Sequence, residues 1–414
     1  MPCLTGNVEL LNCDNIPENS SLFEQLTCAY KTVHAPIVSV ISVVGVLCNA
    51  AIVLVLLQRR LRGGCVNTLL VAIAVCDMTL MAGTFVYVRV DQRCSPWAFT
   101  FAWMLYTLAY ANVSVTAHGM SLWLTVCLAG LRYAIIRAPN RRPALDTVSM
   151  ALRCVLGCFI LVASGFSLNY VRNRVFRVHD TPVALPLARI CPDVSRADTR
   201  MVIPYMLDAQ PWYTCDMDKL NYWTTGVLFK LLPCALLTLF MTLLIHELLE
   251  ARRRNRRLKG LDRKAPNDDH NHTDHQRNSA NVERYNENNH QENLLTTTTT
   301  KANVLHSSRN ACARQPLNAN KGGAVDQTRT TSLLVLIVAV FLATELPQGT
   351  LTLMAGLSTS AQWLYNALGD ILDVLSLLNN TVNFLIYCAM SSTFRSTFCS
   401  VFTCGKTESR SYLK

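Results

Sequence analysis

The chain has 414 residues, of which 51% are hydrophobic and only 16% charged, with a formal net charge of +11. That ratio excludes an ordinary water-facing surface for a protein of this length, and the sparse charge excludes a disordered chain. The basic residues cluster beside apolar blocks without alternating aromatic residues, so the positive charge reads as membrane topology and attraction to anionic lipid, not as nucleic-acid binding.

In chain order, residues 1–35 form a polar N-terminal segment. It opens with "MPCLTGNVELLNCDNIPENSS", which lacks the basic and apolar regions of a signal peptide and carries a glycosylation sequon at Asn19. Seven charge-poor blocks follow, at 36–57, 66–88, 98–131, 150–170, 222–249, 330–357 and 363–390. A span of about 20 apolar residues crosses a hydrocarbon core of about 30 Å, so each block predicts a transmembrane helix. The third is longer than a bilayer requires, and Arg153 makes the fourth the least apolar. The first block would serve as the insertion signal. Lys and Arg concentrate in "QRRLRGG", "LRYAIIRAPNRRPAL" and "EARRRNRRLKG", which orients the N-terminus outward and these loops toward the cytoplasm.

Helices one to five with their loops occupy 36–249, and helices six and seven occupy 329–390. Between them, 250–328 is rich in Asn, His, Arg and Thr, the composition of a disordered cytoplasmic loop. Its "DDHNHTDHQ" tract reads as solvated before it reads as a chelator, and Asn271 in "NHT" would be cytosolic and silent. Residues 391–414 begin with "SSTFRSTFCSVFTCGK", which predicts a short amphipathic helix on the inner leaflet with Cys399 and Cys404 as palmitoylation candidates. The fold class is thus an all-α membrane protein, a seven-transmembrane helix bundle with a short amphipathic C-terminal helix.

Polar residues inside a bilayer are costly and mark function by default. Asn49, Asp77, Ser121, Asn379, Asn380 and Asn383 together suit either an oxygen cage for a small cation such as Na+ or an interhelical hydrogen-bond network. Lys230 and Glu345 lie at corresponding depths, three residues before Pro233 and two before Pro347. Opposite charges there are far cheaper paired than apart, which predicts a buried ion pair. Asp370 and Asp373 stand in the outer third of the seventh block, with His118 as a facing group on the third. Arg132 ends the third block with Leu131, not an acid, before it.

Gly45, Asn49, Asp77, Arg132-Tyr133, Pro233, Pro347 and "NFLIY" at 383–387 resemble a rhodopsin-like G-protein-coupled receptor over all seven spans. "SLWLTVCLAGLRY", "ATELPQGTLTLMAG" and "LGDILDVLSLLNNTVNFLIYCAMSSTFRSTF" look most like invertebrate FMRFamide-type peptide receptors, including the myosuppressin receptors and their sex-peptide and myoinhibitory-peptide relatives. The chain departs from the family pattern at Leu131, at Glu345 where Trp is usual, at Phe384 where Pro is usual, and at Met241 near the place of a tyrosine. The usual cysteine atop the third span falls near Thr107, so a retained loop disulfide would join Cys94 to Cys215 in preference to Cys191.

The resemblance implies no catalysis of its own and no cofactor beyond an allosteric Na+. No HExxH or GxSxG motif stands in the chain. The implied partners are an amidated neuropeptide, a heterotrimeric G protein of the Gi/o kind and the lipid bilayer, at the plasma membrane with an extracellular N-terminus. Arg132, Tyr133 and Tyr387 would serve G-protein coupling, and Lys230, Glu345, Pro347 and Asn383 the activation switch. A ligand ending in Arg-Phe-amide would place its guanidinium on Asp370 and Asp373 and its ring among Tyr106, Tyr110, Phe229 and Trp363, near His118. Two rivals remain: a myoinhibitory or sex-peptide-type receptor, and an ion-coupled transporter using Asp77, Lys230 and Glu345, which would need broken helices and coupled flux.

Overall fold

A computed structural model describes residues 22–59, 61–91, 96–179, 183–184, 201–262, 322–390 and 392–403. Within them, α1 (Leu22–Leu56), α2 (Cys65–Asp91) and α3 (Phe101–Arg137) are long helices. A short α4 (Arg142–Leu145) leads to α5 (Val148–Gly165) and α6 (Ser167–Arg172). The fifth span is composite: α7 (Cys215–Gly226), a π-helical turn at Val227–Leu231, then α8 (Leu232–Asp262). α9 (Gly322–Ala355), α10 (Thr359–Met390) and α11 (Ser392–Thr403) complete the chain.

Six described helical stretches are long and apolar enough to cross a membrane, and α10, 32 residues long, takes the seventh place. The molecule is a mostly helical membrane bundle. α3 has 37 residues, about 55 Å at 1.5 Å per residue, which exceeds the bilayer core and explains the overlong third block. Threonines set three starts: Thr100, Thr147 and Thr214 accept bonds from the amides of Trp103, Met150 and Met217 at the heads of α3, α5 and α7.

Several boundaries differ from those read in the sequence. α1 begins at Leu22, inside the segment taken as an N-terminal tail, because "LFEQLTCAYKTVHA" continues its helical pattern and Pro36 is accommodated within the helix. α8 runs on to Asp262 and α9 begins at Gly322, so the ends of the 250–328 segment are helical. Strong helix formers such as Arg, Leu and Lys in "EARRRNRRLKGLD" carry α8 beyond its apolar stretch. Residues 1–249 and 327–414 constitute one compact unit, and 250–326 a second.

Strands also appear where only loop was expected. β1 (Asn173–Arg177) pairs antiparallel with β4 (Tyr205–Ala209), and β2 (Val183–Ala184) pairs with β3 (Met201–Val202). Arg172 fastens this ribbon to the fifth span, its Nε 2.8 Å from Asp218 Oδ1. Burial works to lower the Arg172 pKa, but the bond to Asp218 outweighs it and holds the guanidinium above its ordinary value.

The core gathers in three clusters, one of which joins α1, α2, α3 and α10 through Val38, Met81, Ala117 and Leu377. Ile52, Leu69, Leu124, Val162 and Phe229 join α1, α2, α3, α5 and the π turn. Leu122, Val126, Leu237, Met241 and Phe341 join α3, α8 and α9. Outside, Val40, Leu47, Leu152, Leu156, Phe159 and Ile160 are exposed, an apolar girdle that suits lipid.

Candidate functional site

The π turn determines what the fifth span shows to the interior. Leu232 N–H bonds the Val227 carbonyl, five residues back, just before Pro233, which has no N–H to offer. The extra residue lets two neighbours, Phe229 and Lys230, both reach buried positions. Phe229 enters a slot lined by Gly119 and Gly165 and stacks on Phe166, with ring centroids 4.0 Å apart and planes at 15°. It is 1% exposed and belongs to the core, which corrects its assignment to a ligand pocket.

Lys230 points the other way, into a polar knot shared by four spans. Its Nζ lies 2.7 Å from Glu345 Oε2 on α9 and 2.7 Å from His118 Nε2 on α3, and it donates to Gln348 Oε1. Glu345 is fully buried and Lys230 only 7% exposed. Asn379 of α10 donates to Glu345 Oε1 at 3.3 Å, and Ser376 Oγ to Gln348 Oε1 at 3.1 Å. Gln348 in turn donates to the Leu372 carbonyl at 3.3 Å. A buried ion pair with this many satisfied hydrogen bonds meets the condition under which such pairs are tolerated. His118 therefore sits beneath Lys230 and Glu345, 3.4 Å from the carboxylate, not opposite Asp370. His118, expected in the ligand pocket, thus stands in this knot.

Asp77 forms a second buried centre, 1% exposed, where Ser121 Oγ donates to Oδ1 at 2.7 Å. Asn49 Nδ2 donates to the Gly45 carbonyl at 3.0 Å and reaches the Asn380 carbonyl at 3.4 Å. Asn49 Oδ1 and Asn380 Nδ2 are buried without hydrogen-bond partners. Asn379 is absent from this group: it shares a face with Ser376, so it turns to Glu345. The side chains of Asn383 and Tyr387 lie outside the described residues.

At the ribbon end of the bundle, Asp373 is exposed and Asp370 half-exposed on α10. Asp370 Oδ1 is 3.8 Å from His34 Nε2 of α1. The electrostatic neighbours of Asp373 include Tyr30 of α1, Tyr110 of α3, Tyr365 of α10 and Lys230. Neighbours drawn from four elements place this carboxylate over the bundle interior, away from the lipid face. Tyr110 bonds Thr84 at 2.9 Å, and Tyr106 donates to the Gly83 carbonyl at 3.1 Å. Tyr110 stacks with Tyr87 of α2 and with Tyr106, and Tyr106 stacks with Trp103, which in turn stacks with Tyr87, so Tyr106, bonded to Gly83, braces α2 against α3. Trp363 lies beside Phe23 of α1, centroids 6.1 Å apart.

At the opposite end, Arg132 and Tyr133 are half-buried, and among the described residues no acid is ion-paired with Arg132. Arg137, farther along α3, pairs with Glu247 of α8. Cys399 is exposed on α11. Cys28 and Cys215 each take part in a disulfide; Asn19, Cys94, Cys191 and Cys404 lie outside the described residues. Glu345 and Lys230 could be singled out from their charge alone. Gln348 and Ser376 could not, although each stands three residues from a polar residue of the knot.

A seven-span bundle with a polar knot across its middle, an acidic end, and at the other end an arginine with no ion-paired acid among the described residues has the build of a membrane receptor. The family described as "Serpentine type 7TM GPCR chemoreceptor Srw" matches residues 36–276 and 304–405. The chain belongs to this family of G-protein-coupled receptors, whose members are receptors and not enzymes. It is 32% identical over 410 residues to the "G-protein coupled receptor dmsr-1" of Caenorhabditis elegans, covering 95% of this chain and 73% of that protein. It is 23% identical over 371 residues to the "Sex peptide receptor" of Drosophila melanogaster, covering 87% of this chain and 70% of that protein.

Proposed function

We propose that the chain is a plasma-membrane receptor for an extracellular amidated neuropeptide ending in Arg-Phe-amide, coupled to a Gi/o-type G protein. The observation that carries this reading is the exposed Asp373, joined by Asp370 and set among Tyr30, Tyr110 and Tyr365. A carboxylate pair among aromatic rings suits a guanidinium beside a phenyl ring: the charges form charge-assisted hydrogen bonds and the rings bury apolar area. Bound peptide favours the active arrangement through the Lys230–Glu345 knot below, and a cleft at the other end opens around Arg132. A myoinhibitory or sex-peptide-type ligand is the second reading, favoured by the likeness to a sex peptide receptor. Na+ fits the Asp77 centre, where Asp77, Ser121 and the unpartnered Asn49 Oδ1 would be its oxygen donors.

The test is G-protein activation in cells expressing the chain, read as lowered cyclic AMP against a panel of amidated peptides. The expected outcome is a sub-micromolar response, on the order of the tighter natural peptide affinities, that weakens at least tenfold in Asp373→Asn. A response confined to peptides without a C-terminal Arg-Phe would favour the second reading. Full potency of Arg-Phe-amide peptides on Asp373→Asn would remove the charge pairing.

A further inference from the structure

Between α3 and α5, away from both the polar knot and the acidic end, lies a group of thiols that the receptor reading leaves unused. Cys127 Sγ of α3 is 3.6 Å from Cys158 Sγ of α5. Cys154, one helical turn before Cys158, and Cys65 and Cys76 of α2 are electrostatic neighbours of the group. All five are free thiols. A disulfide has its sulfurs about 2.05 Å apart, so Cys127 and Cys158 need to close by roughly 1.5 Å, a distance two small side-chain rotations can cover.

We infer that Cys127 and Cys158 form an oxidisable pair, a modification site at which a small diffusible peroxide converts two thiols into a disulfide that staples α3 to α5. The chemistry balances with hydrogen peroxide as the oxidant. Sulfur of one thiol attacks the peroxide, the O–O bond breaks, and a sulfenic acid forms with loss of one water. The second thiol then displaces the sulfenic oxygen as a second water, forming the S–S bond. The two cysteines together lose two electrons and two protons, and the peroxide gains them. Cys127 is half-buried and Cys158 buried, so the oxidant must be small and uncharged, while bulky disulfides such as glutathione disulfide are excluded by size. Cys154 gives the bond a second place to go, because it sits beside the same Cys127 sulfur and exchange would need only one thiolate attack.

Cys127 is five residues, about 7.5 Å along the helix, from Arg132. The staple therefore ties down the part of α3 that bears the arginine. The experiment treats the full-length receptor in detergent with hydrogen peroxide, blocks remaining thiols with an alkylating reagent, and maps peptides without reduction. The expected result is a Cys127–Cys158 cross-linked peptide, lighter by two hydrogens than its parts and released by dithiothreitol. In Cys158→Ser the link should shift to Cys127–Cys154, and in Cys127→Ser both should vanish. Should either variant misfold, the Cys127→Ala/Cys158→Ala pair, which keeps the volume small and apolar, serves as the folded reference. Equal alkylation of Cys127 before and after peroxide would overturn the inference, and so would oxidation that stops at sulfinic acid on single cysteines. Neither result depends on the peptide ligand, so failure here is separate from failure of the receptor reading.

Discussion

Glu345 is a carboxylate in the interior of a membrane bundle, and its surroundings show how it can be held there. It is fully buried, yet it receives Lys230 at 2.7 Å and Asn379 at 3.3 Å and stands 3.4 Å from His118. Removing one partner of a buried pair leaves the other charge uncompensated, at a cost of about 3–5 kcal/mol. Glu345→Gln should therefore melt at a clearly lower temperature in detergent and show raised agonist-independent signalling, since Gln cannot hold the ammonium in place. Exchanging both charges in Lys230→Met/Glu345→Met should restore most of the stability without restoring the normal response to agonist. A Glu345→Gln receptor with wild-type basal and stimulated signalling at full surface expression would count against the switch role.

At the scale of elements, the fifth span reaches the sixth only because small residues let the backbones approach. A Cβ on Gly349 would stand 2.6 Å from Lys230 Cβ, and one on Gly226 would lie 3.1 Å from the Leu353 amide nitrogen. Gly349→Ala should separate α9 from the π turn and destabilise the protein by about 1–3 kcal/mol, the usual cost of overpacking. Gly157→Ala is the matched control: nothing lies within 4 Å of its added methyl, and the helix propensity of alanine should stabilise α5 by up to about 1 kcal/mol. Melting curves of the two variants, moving in opposite directions, would check both statements. The same elements show what a sequence can and cannot convey. The long apolar blocks fix the helices, and the cost of two isolated buried charges points Lys230 at Glu345. The π turn is invisible in a hydropathy pattern, because its extra residue changes which side of the span faces inward without changing composition. That is why Phe229 reads as a pocket residue in the sequence yet packs in the core. The adjacent Asn379 and Asn380 point about 100° apart, so while Asn379 bonds Glu345, Asn380 turns elsewhere, and only packing decides which goes where. The ribbon of β1 and β4 had no signal stronger than Val175 and Phe176 between arginines.

For the whole molecule, the proposed activity is a balance between two arrangements, on which two ion pairs would bear very unequally. Leu131 precedes Arg132, no acid among the described residues is ion-paired with Arg132, and the described ion pair nearest it along α3 is Arg137–Glu247, between α3 and α8. The Arg137 side chain is 63% exposed. Exposed pairs contribute about 1 kcal/mol or less, which changes a two-state ratio by up to about fivefold. The buried Lys230–Glu345 pair, at several kilocalories, can shift the same ratio by a hundredfold or more. Glu247→Gln should accordingly raise basal G-protein activation by no more than about fivefold, and high salt in a membrane preparation should have the same small effect on the wild type. If Glu247→Gln instead raised basal signalling as far as Glu345→Gln, the restraint would lie at the Arg132 end, and the buried knot would serve packing alone.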